Sequence, residues 1–359
     1  MRVPCRDVRL CGMEWAKPEH SKGKIDKAGR ALIGVFSEDD DLYEALETIN
    51  HYRAVHYYPL NTFKVTLRRK AEIIDRNRIV AQRIKRLTSI AAKLERFPTL
   101  RLSQMQDIGG CRAIVGTTRQ VIQLVKLYEQ SDLKHVLDDV DDYIAAPKES
   151  GYRGVHMIYK YFSDKQAPSI YNGLYIEVQL RSRLQHAWAT AVETIGTFLS
   201  QSLKSSQGEE EWLRFFALAS AAIAIREGSP AVVPNTPTKP KDLIFELKVL
   251  SDRLNVQQTL QMYSQIVTVG REHAQRGSNY FLLKLEPSKG KITIEGFKRN
   301  QMSEASDRYL EVEKEISETK GAEAVLVSVD SIVALQRAYP NYFLDTTVFL
   351  QALQRALKS

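Results

Sequence analysis

Apolar residues recur every three or four positions in some stretches of the chain and every second position in others, and the two rhythms divide it into helices and strands. In SEDDDLYEALETINHYRAVH, Leu42, Ala45, Leu46 and Ile49 share one helical stripe. Ser37 stands ahead of them with acids in the first turn, an N-cap signature. The spacing predicts a second helix across Phe63 to Lys85 and a third over Ser89 to Phe97, stopped by Pro98. CRAIVG, from Cys111 to Gly116, reads as a short buried strand, and RQVIQLVKLYEQS after it as an amphipathic helix. VHMIYKYF and LYIEVQLR (Leu174 to Arg181) read as strands, joined by a polar turn whose Asn172-Gly173 signals a hairpin. RLQHAWATAVETIGTFL and EWLRFFALASAAIAIREG are helices.

The pattern breaks at GSPAVVPNTPTKPKD, where four prolines in fifteen residues mark a linker. Beyond it come a helix from Leu243 to Gly270, the hairpin NYFLLKLEPSKGKITIEGF, a charged helix from Glu304 to Thr319, the strand AVLVSV and a terminal segment running to the last residues. The expected architecture is α+β: a mixed sheet flanked by helices, then a smaller α+β unit. Residues 1–36 are expected to form a loose arm with a short element at its end, 37–228 the first domain, 229–242 the linker and 243–359 the second domain, with no internal repeat.

Composition narrows the class. At 43% hydrophobic and 26% charged residues, the chain reads as a soluble globular protein. The apolar run Phe215 to Ile225 is too short to cross a bilayer, and the first residues carry no secretory pattern. The expectation is a cytoplasmic protein with no membrane association. Cys5, Cys11 and Cys111 form no CxxC pair, and the absence of cysteine after residue 111 leaves no zinc-finger ligands in the second half. Net charge is +8, unevenly spread. Residues 240–359 hold 16 Lys/Arg against 15 Asp/Glu, whereas Lys64 to Arg101 hold 12 against 3. That local excess suits a polyanionic ligand, and it equally suits a solvated helix face.

Four clusters exceed what turns and strands need. RIKRLTSIAAK sets Arg83, Lys85, Ser89 and Lys93 close together, enough donors to surround a triphosphate. In QDIGGCR, Asp107 precedes a Gly pair and Arg112 lies on the strand; alone, such an Asp is an ordinary turn residue. DYIAAPKESGYRGVH packs Lys148, Gly151, Tyr152, Arg153 and His156 around one turn. In YIEVQLR, Glu177, Gln179 and Arg181 alternate with Ile176, Val178 and Leu180, a pattern that a merely wet strand face would also give.

In order, these clusters resemble the motifs of the RelA/SpoT nucleotidyl-synthetase domain over roughly residues 60–200. RIKRLTSIAAK is similar to RxKxxxSIxxK, DIGGCR to D-[IL]-x-x-x-R, the long loop to DYI-x-x-PK-x-x-GY-x-x-x-H, and EVQLR to E-[VI]-Q-[IL]-R. The resemblance implies transfer of pyrophosphate from ATP, with Mg²⁺, to a nucleotide 3′-hydroxyl. It implies that Arg83 and Arg112 sandwich adenine, that Lys85, Ser89 and Lys93 hold the polyphosphate, and that Asp107 and Glu177 carry Mg²⁺, with Glu177 also taking the hydroxyl proton. Tyr152 would stack the acceptor base, Gly151 would admit close backbone approach, and Lys148, Arg153, His156, Gln179 and Arg181 would complete the acceptor side.

The chain contains no His-Asp dipeptide, so the hydrolase half of the long enzymes is not expected. Tyr339 and Tyr342, three apart around Pro340, read either as a staple entering the last helix or as a plug for the arginine slot. This Tyr-x-x-Tyr element, the linker and the Ser-Gly-Tyr-Arg-Gly form of the loop look like the CapRel-like fused toxin–antitoxin branch. That resemblance implies a C-terminal pseudo-zinc-finger without metal, the tRNA acceptor end as substrate, and release of autoinhibition by a phage major capsid protein in antiviral defence. A small alarmone synthetase making (p)ppGpp or (p)ppApp from guanine or adenine nucleotides is the alternative within the same chemistry. A non-catalytic nucleic-acid or phage-protein binding module is the alternative outside it. Neither the oligomeric state nor a role for residues 1–36 follows from the sequence.

Overall fold

The structure, a computed structural model, describes residues 15–35, 42–199, 209–229, 233–266, 268–271, 277–286, 289–316, 319 and 322–358. Helix α1 spans Lys22–Leu32, α2 Leu42–Val55 and α3 Tyr57–Ile74, followed by strand β1 at Ile79–Ile84 and α4 at Leu87–Arg96. Next come β2 Gly109–Val115, α5 Thr118–Glu129, β3 Val136–Asp142, β4 Val155–Lys160 and β5 Tyr175–Ser182. Helices α6 (Arg183–Leu199), α7 (Glu210–Arg226), α8 (Pro240–Arg253) and α9 (Val256–Ile266) lead to β6 (Thr268–Arg271). The chain closes with β7 Tyr280–Glu286, β8 Lys291–Phe297, α10 Met302–Glu315, β9 Glu323–Ser328, α11 Ile332–Ala338 and α12 Thr347–Leu357.

Several sequence expectations hold within a residue or two, and three change. The helix expected across Phe63 to Lys85 is α3 plus β1. Asp75 breaks it, its Oδ1 accepting from Asn77 N at 2.7 Å, and the β-rich IVAQRI continues as a strand. The helix expected from Leu243 to Gly270 is α8, α9 and the strand β6, parted at Asn255, whose φ is +47°. The charged helix α10 stops at Glu315, short of Thr319. The short element expected at the end of the N-terminal arm is α1, where Ile25, Ala28 and Ala31 pack with Ile49 of α2 and Leu94 of α4. The Ser37 cap, Cys5 and Cys11 lie outside the described residues.

All nine strands form one sheet in the order β3-β4-β5-β2-β1-β9-β7-β8-β6. The β4–β5 hairpin pairs antiparallel as expected, and β2 and β5 run parallel. The sheet crosses the 229–242 segment, because β1 pairs antiparallel with β9 at Gln82↔Ser328 and Arg83↔Val327. The proline-rich stretch therefore connects two sets of strands that share a sheet.

Strand alternation assigns the two faces. Val80, Cys111, Ala113, Met157, Ile176, Val178 and Leu180 point into one core, with Phe63 and Leu67 of α3 and Leu124 of α5. The other face carries the intervening residues of the same strands. It is covered at one end by Tyr339 and Tyr342 beside β1, β7 and β9, and at the other by the α6, α7, α8 and α12 cluster around Phe215 and Phe349. A cavity remains between these two covers.

Candidate active site

The register lines up the polar residues in two rows on that second face. One runs Asp141↔His156↔Gln179↔Arg112 across β3, β4, β5 and β2; the other runs Ile158↔Glu177↔Gly110↔Arg83 across β4, β5, β2 and β1. Side chains directly opposite on neighbouring strands share a face, so each row projects as a set. They open into a cavity of about 760 Å³, lined also by Lys85, Arg86, Ser89, Lys93, Asp107, Tyr143, Lys148, Tyr152 and Arg181. From α6 come Val192, Glu193, Gly196 and Thr197, and from the C-terminal part Glu323, Tyr339, Asn341 and Tyr342.

Asp107 is the hub of the first wall. Its Oδ2 accepts from Lys85 Nζ at 2.7 Å and its Oδ1 from Lys93 Nζ at 2.9 Å. Lys85 follows β1, its backbone N–H bonded to Ile108 O, and Lys93 sits two turns into α4. Burial lowers the Lys85 pKa, with Asp107 acting against it.

Glu177 is 9% exposed and has both oxygens engaged: Oε1 lies 2.8 Å from His156 Nδ1, and Oε2 accepts from Gln179 Nε2 at 2.7 Å. Burial would raise its pKa; His156, Gln179 and the nearby Lys85 together outweigh that and hold it well below the carboxylate range. Lys85 thus bonds one carboxylate and lies close enough to bias the other. Both carboxylates line the cavity, a pair of the kind a divalent ion bridging to phosphate oxygens uses. Among the described residues, no group of three or more His, Cys, Asp or Glu could hold a metal by itself. A phosphate-borne Mg²⁺, which keeps water and phosphate ligands, needs only such a pair.

Three guanidinium groups share the opposite wall. Burial, then Arg181 and Arg83, lower Arg112 to about 10, and its Nε donates to Gln179 Oε1 at 3.2 Å. The Arg112 guanidinium carbon stands 6.0 Å from the centroid of the Tyr339 ring. Tyr339 is 4% exposed, Tyr342 1%, and the two rings meet edge-on at 6.4 Å. They belong to the apolar cluster beside β1 and at the same time line the cavity. Arg86 pairs with Glu323 of β9 at 2.5 Å.

Of the residues singled out in the sequence, twelve with roles in catalysis, donor binding or acceptor binding reach this cavity. Gly151 and Arg153 do not line it. Gly151 has φ +89°, and a Cβ there would come within 2.8 Å of Ser220 Cβ and 3.1 Å of Ala217 Cα, so its close approach is to α7. Arg153 is 3% exposed and donates to Ser220 Oγ and Ile144 O, holding the loop against the same helix. The basic stretch is divided as well. Lys64 donates to Ser328 Oγ and Lys70 to Leu127 O, while Arg68 and Arg78 pair with Asp330 and Glu72. Only Arg83, Lys85, Arg86 and Lys93 of that run line the cavity. Sequence reading missed Gln106, Asp141, Tyr143, Glu193, Thr197 and Glu323. Glu193 and Thr197, four apart on α6 and so on one face of it, were a readable signal; Glu323 was not, because β9 comes from the far end of the chain.

Residues 82–196 match the model of the region found in RelA / SpoT proteins, a span that holds most of the residues lining the cavity. A stretch of 115 residues is 36% identical to GTP pyrophosphokinase YjbM of Bacillus subtilis strain 168. That match takes in 31% of this chain, which spans about half (52%) of the length of that relative. Among solved structures, small alarmone synthetase 1 from Bacillus subtilis bound to pppGpp aligns at 24% identity and a TM-score of 0.43, over 52% of this chain and 94% of that one. Small alarmone synthetase 2 from Bacillus subtilis aligns at 21% and 0.41, over 49% and 92%.

Proposed function

We propose that the protein is a pyrophosphokinase that moves the β,γ-pyrophosphoryl group of ATP to a ribose 3′-hydroxyl at the 3′ end of tRNA, and that its own C-terminal part restrains it. One observation carries the reaction class: Arg83, Lys85, Lys93, Asp107, Arg112 and Glu177, from three separate sequence clusters, line a single cavity. A bond forms between the 3′-oxygen and the β-phosphorus, the bond from that phosphorus to the α,β-bridging oxygen breaks, and AMP leaves. Arg83 and Arg112 offer flat cationic faces to adenine, and Lys85, Ser89 and Lys93 neutralise the polyphosphate. Mg²⁺ held by Asp107 and Glu177 would offset charge developing on the phosphoryl oxygens. Glu177, ionised and clamped, accepts the hydrogen bond that orients the attacking hydroxyl and receives its proton as the new bond forms.

Restraint is read from Tyr339, whose ring stands over Arg112 where adenine would lie. In this reading a phage protein, the major capsid protein by resemblance, docks on the C-terminal part and draws the tyrosines out. Shifting such an equilibrium from 1% to 99% open takes about 5.5 kcal/mol of differential binding. The 36% identity to a GTP pyrophosphokinase favours a second reading, in which the acceptor is GDP or GTP.

The deciding experiment offers tRNA, GDP and GTP side by side with γ-labelled ATP and Mg²⁺, using full-length wild type and full-length Tyr339→Ala. Label on tRNA, stronger in Tyr339→Ala, is the expected result. Label confined to guanine nucleotides moves the assignment to an alarmone synthetase. Glu177→Gln should abolish labelling; a cellular phenotype unchanged by that substitution would instead indicate a binding module on the same fold.

A further inference from the structure

Arg86 lines the cavity beside Arg83 and Lys85, and the carboxylate it meets comes from the far end of the chain. Lys85 and Lys93 share the nearby Asp107, whereas Arg86 Nη1 pairs with Glu323, the first residue of β9, at 2.5 Å. Arg86 stands at the start of α4, but its side chain makes no capping hydrogen bond there. The side chain is 23% exposed, and its Nε is buried with no hydrogen-bond partner among the described residues. A guanidinium carries five N–H donors, and a carboxylate takes at most two of them in a fork. A cation with a donor to spare therefore sits in the wall of a nucleotide-sized cavity.

Glu323 lines the same cavity, as does Tyr342. Burial raises the Tyr342 pKa, with Arg86 opposing and Glu323 adding to the rise, so the ring lies close to both partners. From the same C-terminal part, the Tyr339 ring stands 6.0 Å from the Arg112 guanidinium carbon. That part thus sets a flat ring against one arginine and an anion against another. A nucleoside triphosphate presents the same two kinds of group, a base to stack and phosphates to pair.

We propose that Arg86 is a further ATP-binding residue that grips a phosphate of the donor, and that Glu323 takes that phosphate's place on its guanidinium while the C-terminal part restrains the protein. The inference rests on the pyrophosphokinase reading above. A carboxylate and a phosphate compete for the same guanidinium donors, so ATP and Glu323 exclude one another at Arg86. By linkage, whatever draws Glu323 off Arg86 strengthens ATP binding, and ATP strengthens the binding of whatever does so.

The test is calorimetric titration of full-length chains with inorganic tripolyphosphate and with α,β-methylene-ATP, each with Mg²⁺. Tripolyphosphate has no base, so it reports the phosphate contacts apart from Tyr339 and Arg112. Glu323→Gln should bind it about tenfold more tightly than wild type, because a neutral amide holds a guanidinium less firmly than a carboxylate does. In full-length Tyr339→Ala, adding Arg86→Gln should weaken α,β-methylene-ATP about ten- to a hundredfold, the usual worth of charge-assisted hydrogen bonds. Arg86→Lys, which keeps the charge and loses the fork, should weaken it less. In steady-state labelling, Arg86→Gln should raise the KM for ATP and leave the acceptor KM unmoved. A pair that merely fastens β9 to the start of α4 gives another result: Glu323→Gln melts at lower temperature and binds tripolyphosphate as wild type does. That result overturns the proposal, and so does equal α,β-methylene-ATP binding with and without Arg86→Gln. If no acceptor is labelled in any full-length form, the reaction class fails and the two titrations still decide the site. Tighter tripolyphosphate binding in Glu323→Gln then supports it, and no binding of either probe in any form overturns it.

Discussion

His56 is fully buried between α2 and α3, its Nδ1 2.8 Å from Tyr52 O and its Nε2 without a partner in the protein. Burial pushes its pKa down from 6.5 to about 4, the Tyr52 carbonyl opposing. Between those values an unfolded chain takes up a proton that the folded chain refuses, so stability is fully present above about pH 6.5 and is lost as pH falls toward 4. At about 1.4 kcal/mol per pH unit the loss is on the order of 3 kcal/mol. Urea unfolding at pH 7 and pH 4.5 should show that slope, and His56→Gln, which cannot titrate, should flatten it. Gly151 gives a second residue-level outcome. Its positive φ and the 2.8 Å approach to Ser220 mean that Gly151→Ala should lower the melting temperature, at a cost of about 1–3 kcal/mol. A change in activity with unchanged stability would instead place this residue in acceptor binding. The sequence marked Gly151 as special and could not say for what, since the helix it packs on lies some 65 residues further along the chain.

Elements were legible where one rhythm was enough. The alternation in YIEVQLR separated Ile176, Val178 and Leu180 from Glu177, Gln179 and Arg181, and the packing follows that division. It did not reveal that the polar face is enclosed: Arg181 is 1% exposed, with its guanidinium bonded to the Tyr152 hydroxyl at 2.7 Å. The link between α2, α4 and α10 was illegible altogether. Arg53, 3% exposed, pairs with Glu313 at 2.8 Å and also donates to Lys85 O; Glu313 accepts the Leu87 N–H at the start of α4. One residue of α10 thereby sets the end of β1 and the helix that carries Lys93. Removing one member of a buried pair strands the other, so Glu313→Ala should cost about 3–5 kcal/mol in urea unfolding. Arg53→Met combined with Glu313→Met should cost less than either change alone, and additive losses would show that the pair is not coupled.

At the scale of the molecule, the linker composition suggested two separable units, yet the sheet is continuous through β1 and β9. Phe349 of α12, 0% exposed, packs 6.0 Å from Phe216 of α7, sealing the far cover. A chain ended at Ser229 would leave β1 as an open edge and uncover Phe216. It should unfold at lower denaturant than the full chain or be recovered aggregated. By calorimetry the full chain should melt in one transition; two well-separated transitions would mean that the strand sets are energetically independent.

Local order along the chain was sufficient to place most helices and strands, to leave no cysteine for a zinc site in the second half, and to single out most of the polar residues that line the cavity. Those features depend on neighbours within a few positions, where backbone geometry and hydrophobic spacing act directly. Tertiary structure alone decided which donors share the cavity, that Tyr152 is buried while Tyr143 is half-buried, and that Tyr339 reaches Arg112 from 227 positions away. Such outcomes depend on strand order and on which face a helix covers, and two residues far apart in sequence carry no local sign of meeting.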